Sequence, residues 1–178
     1  MKNYFQAIQQ GQMEGLEKLY ESYYQRLCRF AHCYLHQAEV AEDVVSEIFL
    51  QLWEKRHTLI VPEKVETYLF AATRNKCLNY LRDHQKTEDF SQVQLSLTLP
   101  SPEKGYIHKE QLERAQAYIN TFPGQQKKIF ILSRVEGFTY KEIAQILNLS
   151  EKTVEHHMGQ ALKKMARFHV ARSLEIKD

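Results

Sequence analysis

The stretch that decides the fold runs from Thr139 to Met165, TYKEIAQILNLSEKTVEHHMGQALKKM. Thr139 followed three residues later by Glu142 has capping-box spacing, which predicts a helix start running on to about Leu147. Asn148 tolerates the left-handed backbone that ends many helices, and Ser150 with Glu151 is suited to starting the next one. The turn between them is therefore short. Ile143, Ala144 and Leu147 can meet an apolar stripe of Val154, Met158, Ala161, Leu162 and Met165, so two helices pack at a steep angle. Lys152, Thr153, Glu155, His156, Gly159, Gln160 and Lys163 then face outward, a polar and partly basic surface suited to a DNA major groove. A helical hairpin with a merely solvated face is the plainer alternative. Capping box, turn length and face chemistry together favour a DNA-binding helix-turn-helix.

Working outward, the 178-residue chain is 43% hydrophobic, enough to build one or two small cores. Six glycines, four prolines, long stretches of helical period and little strand-like alternation predict an all-α protein. No apolar run approaches the roughly 20 residues that span a bilayer, and MKNYFQAIQQ lacks the basic-then-apolar order of a secretion signal, so we expect a cytoplasmic protein without membrane insertion. Three cysteines without a Cys-x-x-Cys pair suit a reducing compartment.

A net charge of +2 does not point to nucleic acid by itself, but its distribution is uneven. Between Glu39 and Glu54 lie five acids (Glu39, Glu42, Asp43, Glu47, Glu54) and no Lys or Arg. Between Lys64 and Lys86 lie five bases (Lys64, Arg74, Lys76, Arg82, Lys86) against Glu66 and Asp83. An acidic helix is repelled by phosphate and a basic one attracted, so two surfaces of opposite sign predict two different partners.

Residues 12–36 place Leu16, Leu19, Tyr20, Tyr23, Leu27, Phe30, Ala31 and Tyr34 at helical spacing. Cys28, His32, Cys33 and His36 invite a zinc reading, but neighbours on one helix point about 100° apart and cannot all converge on one ion, so no metal is expected. Residues 38–56 predict a second helix with Val40, Val44, Val45, Ile48, Phe49, Leu52 and Trp53 on its apolar side and its acids largely opposite; a plain solvated face competes with a docking face. No nucleophile accompanies the carboxylates at useful spacing, and an enzyme using Cys77 with a histidine lacks any elbow, phosphate loop or metal spacing, so neither catalysis nor a cofactor is expected. After a loop containing Pro62, residues 65–84 predict a third helix with Leu69, Ala72, Cys77, Leu78 and Leu81 inward. Its Arg74, Asn75, Lys76, Asn79 and Arg82, with Tyr68 and Tyr80 nearby, suit a melted strand, where cations track phosphate and bases stack or hydrogen-bond. Phe70 and Leu81 read as core.

Helical period fails from Gln85 to Glu103, a polar stretch ending in Pro100 and Pro102 that predicts a flexible linker. Helix resumes near 104–121, a further one starts at Pro123 and stops at Gly137, and the tail from Phe168 should fray. The expected architecture is two small helical domains, residues 1–84 and 104–178, joined by the linker 85–103.

This order resembles the extracytoplasmic-function (ECF) group of bacterial sigma-70 factors, and most of all those of Bacteroidetes. AEDVVSEIFLQLWEKR is similar to the family's region 2.2, YLFAATRNKCLNYLRD to regions 2.3 and 2.4, and FPGQQKKIFILSRVEGFTYKEIAQILNLSEKTVEHHMGQALKKM to region 4. The resemblance implies a sigma factor that binds core RNA polymerase and directs promoter recognition. It implies that Glu39, Glu42, Asp43 and Glu47 dock on the β′ coiled coil, with Trp53 as support, and that Arg74, Asn75, Lys76, Asn79 and Arg82 hold the melted −10 element of promoter DNA. It further implies that region 4, through Lys152, Thr153, His156, Gln160, Lys163 and Lys164, reads the −35 element and touches the β flap. An anti-sigma factor is a further expected partner. Ser46 stands where many members carry Gln, and His157 and Gln160 stand where many are basic, so a promoter sequence does not carry over. A stand-alone helix-turn-helix regulator is the alternative, but it has no need of the acidic and basic helix pair.

Overall fold

The computed structural model describes residues 2–84 and 114–175, and every regular element among them is an α-helix. They fall into two compact units. The first is built from α1 (Lys2–Gln9), α2 (Met13–Leu35), α3 (Ala38–Glu54) and α4 (Val65–His84). The second is carried by α5 (described over 114–120), α6 (Gly124–Arg134), α7 (Tyr140–Leu147) and α8 (Glu151–Glu175). The expected linker, 85–103, lies outside the described residues, as does the start of the helix expected from 104.

In the first unit α2 is the hub: α1, α3 and α4 all pack on it, and α3 also packs on α4. Its Leu19, Tyr23, Leu27, Phe30, Ala31 and Tyr34 are buried, as their spacing predicts. Helix α1 was not foreseen. Two turns long, it is held by Phe5 and Ile8, both fully buried, and its end is closed by Gly11 at φ +76°, where Gly11 N–H donates to Ile8 O and Gln12 N–H to Ala7 O in a Schellman turn. Gly15 of α2 lets α1 approach closely, since a Cβ there would lie 2.7 Å from Tyr4 O and 2.8 Å from Ala7 Cβ.

Val44, Val45, Ile48, Phe49 and Leu52 of α3 are buried, with Val40 and Trp53 half-buried. On α4 the buried stripe is Val65, Leu69, Phe70, Thr73 and Cys77; Thr73 is accommodated because its hydroxyl donates to Leu69 O at 2.9 Å. Three residues expected inward are not buried: Leu78 is exposed, and Ala72 and Leu81 are half-buried. The stripe repeats every four residues through 69, 73 and 77, so Leu78 is rotated about 100° off it. Arg26 ties α2 to α4 by an ion pair with Glu66 and lies over the rings of Tyr23 and Phe70, at 5.3 and 5.7 Å.

The second unit has its own core of Ile119, Phe122, Ile129, Phe130, Ile131, Leu132, Phe138, Ile143, Val154, Met158 and Ala161. Phe122 meets Phe130 edge-on, and Tyr118 stacks on Phe168 while its hydroxyl donates to Lys164 O at 3.0 Å. Pro123 precedes α6 as its N-cap, and Gly137 at φ +80° turns the chain toward α7. Helix α8 runs on to Glu175, beyond the Phe168 at which the tail was expected to begin fraying, and residues 176–178 lie outside the described residues.

Candidate nucleic-acid interface

The turn between α7 and α8 forms as its residues dictate. Glu142 accepts hydrogen bonds from Thr139 N–H (2.9 Å) and Thr139 Oγ1 (2.7 Å), while Glu142 N–H donates back to Thr139 Oγ1. Asn148 takes φ +51°, and Leu149 N–H closes the helix end on Ala144 O at 2.9 Å. Ser150 Oγ then accepts from Thr153 N–H at 3.1 Å and starts α8. Ile143, Ala144, Leu147, Val154, Met158 and Ala161 are buried, whereas Leu162, expected in the same stripe, is exposed and Met165 is half-buried.

With α8 set this way, Lys152, Glu155, His156, Gly159, Gln160 and Lys163 are exposed along one side. Thr153 is half-buried and committed to the cap, its Oγ1 2.7 Å from Ser150 Oγ. Lys164 is also half-buried, its ammonium 5.4 Å from the centre of the Phe122 ring. The exposed side chains at 156 and 160 are not independent: Gln160 Nε2 lies 2.8 Å from His156 Nε2, and Gln160 Oε1 accepts from Nε2 of the buried Gln126 on α6. Gln126 carries no sequence signal, being a glutamine in a run of Gln and Lys.

In the first unit, Asn75, Asn79 and Arg82 are exposed and Arg74 and Lys76 half-buried. Arg74 donates to Asn75 Oδ1 at 3.0 Å, and Arg82 pairs with Asp83 at 3.1 Å. Burial pushes the Tyr34 phenol up, with the nearby Arg74 guanidinium acting against it. A groove of about 230 Å³ opens between α3, the following loop and α4. Asn75, Lys76, Asn79 and Tyr68 of α4 line it, as their sequence pattern suggested, whereas Lys55 and Leu59 come from residues the sequence had not assigned to a site. Polar amides, cations and one aromatic ring around such a hollow can hold a planar heterocycle beside phosphate.

On α3, Glu39, Glu42, Asp43 and Glu47 are all exposed, as is Leu50 between them and Glu54. Their charge run was expected to lack internal basic partners. Glu47 has one, since Lys76 reaches it across the α3–α4 contact, with the carboxylate side chain 49% exposed and the lysine 24%. Ser46 is exposed and hydrogen-bonds the Tyr24 hydroxyl. Trp53 is half-buried beneath the Arg56 guanidinium, 4.6 Å from its ring centre. No group of three or more His, Cys, Asp or Glu among the described residues is placed to hold a metal ion.

Comparison with known proteins adds the family. Residues 19–87 match Sigma-70 region 2 and residues 112–165 match Sigma-70 region 4, together more than half the chain. Among curated relatives, the ECF RNA polymerase sigma factor SigM of Bacillus subtilis (strain 168) is 24% identical over 83% of this chain and 93% of its own length. The ferric citrate uptake sigma factor FecI of Escherichia coli (strain K12) is 22% identical over 86% of this chain and 90% of its own. Among solved structures, CnrH in complex with the cytosolic domain of CnrY has a TM-score of 0.64 at 18% identity, covering 96% of this chain and 97% of that one. The sigma factor RpoE in complex with the anti-sigma factor NepR from Bartonella quintana also scores 0.64, at 19% identity over 85% of this chain and 94% of that one. With both family regions in order on an all-helical fold, the chain belongs to the sigma-70 family, as an RNA polymerase sigma factor of the extracytoplasmic-function group.

Proposed function

We propose that the two helical units divide the work of promoter recognition: residues 1–84 dock on core polymerase and hold the −10 element, 85–103 link, and 104–178 read the −35 element. The observation that carries this is the opposition of surfaces within the first unit. Acidic α3 presents Glu39, Glu42, Asp43 and Glu47, repelled by phosphate and matched to a basic protein surface such as the β′ coiled coil. Beside it α4 presents Arg74, Asn75, Lys76, Asn79 and Arg82, with a hollow wide enough for an extruded base. On α8, Lys152, His156 and Gln160 lie exposed in the first turns, where side chains reach base edges, and Lys163 follows where phosphate contacts are usual, while Thr153, held in the cap, and Lys164, half-buried against the Phe122 ring, support the same surface. The β flap is the further contact we assign to this second unit. Sigma factors supply no catalysis of their own, so the chemistry stays with the polymerase.

Of the two structures of similar fold, one was solved with the cytosolic domain of CnrY and the other with the anti-sigma factor NepR, which supports an anti-sigma factor for this chain as well. No helix among the described residues is long and apolar enough to cross a membrane, and we place the protein in the cytoplasm with its polymerase. Assignment to the Bacteroidetes type rests on the sequence resemblance.

Transcription by purified core polymerase from a pool of promoter templates, with and without this protein, tests the proposal. Enrichment of a −35/−10 pair only when the protein is present is the expected result. Template choice unchanged by the protein, or DNA binding equally selective without core polymerase, would favour a stand-alone regulator instead.

A further inference from the structure

We infer that Gln126, which is buried on α6, is a specificity-determining positioning residue: it orients the Gln160 amide and through it sets which ring nitrogen of His156 carries the proton. Gln126 is 7% exposed and sits where α6 packs on α8. Its Nε2 donates to Gln160 Oε1. An amide whose oxygen is held by a donor must turn its own nitrogen the other way, and Gln160 Nε2 lies 2.8 Å from His156 Nε2. An amide nitrogen is donor only, so His156 Nε2 must accept. The ring is then neutral with its proton on Nδ1, and its exposed position carries a donor suited to the acceptor edge of a base, guanine N7 and O6 above all. Polarity thus passes from a buried side chain to an exposed one through two hydrogen bonds.

Gln126 Oε1 is buried without a hydrogen-bond partner, so no second bond at that end competes with the one to Gln160. Replacing Gln126 by Glu supplies a carboxylate, which when ionised accepts only. Gln160 must then offer its Nε2 inward and its Oε1 to His156, which requires the proton on Nε2. Gln126→Leu keeps an apolar filler of similar size and releases Gln160 altogether.

The inference rests on the proposal that α8 reads the −35 element, and two readouts separate their failures. Nitrogen-15 spectra of the full chain, labelled in histidine, report the His156 tautomer without DNA; His156→Ala assigns the resonance. The parent should show the Nδ1–H form, Gln126→Glu the Nε2–H form and Gln126→Leu a mixture. An unchanged tautomer in a folded Gln126→Glu variant overturns the inference. Holoenzyme made with each variant is then bound to a −35 library. Relative preference at the base pairs facing residues 156 and 160 should change about fivefold or more in Gln126→Glu, the span of one base contact. The same substitution in a His156→Ala background should change nothing further. A tautomer that switches while preference stays put would overturn the DNA half of the inference and the placement of His156 on bases. Preference shifts that persist without His156 would mean that Gln126 acts by repacking α8, which also overturns it.

Discussion

Replacing Gly15 by alanine tests how tightly α1 is bound into the first unit. The new Cβ would lie 2.7 Å from the Tyr4 carbonyl oxygen, 2.8 Å from Ala7 Cβ and 3.1 Å from Ile8 N, two of them main-chain atoms that no rotamer change can move. Helix α1 must therefore shift away from α2 as a body. Overpacking of this kind costs about 1–3 kcal/mol. Alanine's better helix propensity returns at most about 1 kcal/mol, and less here because Gly15 lies in the first turn of α2. The ceiling is set by losing α1 altogether: Phe5 and Ile8 are fully buried, and exposing both would cost roughly 3–6 kcal/mol. Gly15→Ala should thus lose about 1–2 kcal/mol net, and Gly15→Val, with two more methyl groups against the same atoms, should approach the ceiling. Urea unfolding followed by circular dichroism measures both, and hydrogen exchange at the α1 amides should rise in step. Alanine that leaves stability unchanged or raises it, with α1 still protected, would refute the close approach of α1.

Four further outcomes are expected. Asp43→Lys should weaken binding to core polymerase roughly tenfold at low salt and less at high salt; Asp43 is preferred to Glu47 because reversing Glu47 also confronts Lys76, and salt-independent or unchanged affinity in pull-down titrations would remove the docking assignment. Thr139→Ala removes a cap that both donates to and accepts from Glu142 and should cost about 1 kcal/mol, read from the thermal midpoint of the protein. Alanine at Lys163 should weaken holoenzyme binding to all −35 sequences alike and flatten its salt dependence, whereas alanine at His156 should relax discrimination; a binding series over sequence and salt distinguishes them. Burial pushes the Cys28 thiol up from 9.0 to about 11, and the Tyr24 phenol from 10.0 to about 12. Both fold in the neutral form, so their contribution is whole below pH 9 and is lost as pH rises from about 9 to 12, which Cys28→Ala should blunt at its lower end in a pH series of urea midpoints.

The helix-turn-helix was legible because its determinants are local: Thr139 and Glu142, Asn148, and Ser150 with Thr153 act within three residues of each other. The long amphipathic stripe of α2 was legible for the same reason, its period being written along one segment. Helix α1 was not, since eight residues carry too few turns to show a period and it is held by Gly15 across a tight bend. Pairings between distant residues were also invisible: Lys76 meets Glu47 across 29 positions and Gln126 meets Gln160 across 34. Composition sorted α3 and α4 into acidic and basic helices, but only their packing shows that the two charges partly neutralise one another.

The turn at Asn148 bears on how such a protein diversifies. One left-handed residue and two caps fix the angle at which α8 leaves, and a single inserted residue would rotate every later side chain by about 100°. Length at this joint is therefore rigidly constrained. The outward positions are under no such constraint: Lys152 and Glu155 are exposed, and nothing lies within 4 Å of where a Cβ would stand at Gly159. A duplicated copy of this chain could thus drift to a new set of promoters through single surface exchanges at Lys152, Glu155 or Gly159, each nearly neutral for folding, while its hinge geometry stayed as it is.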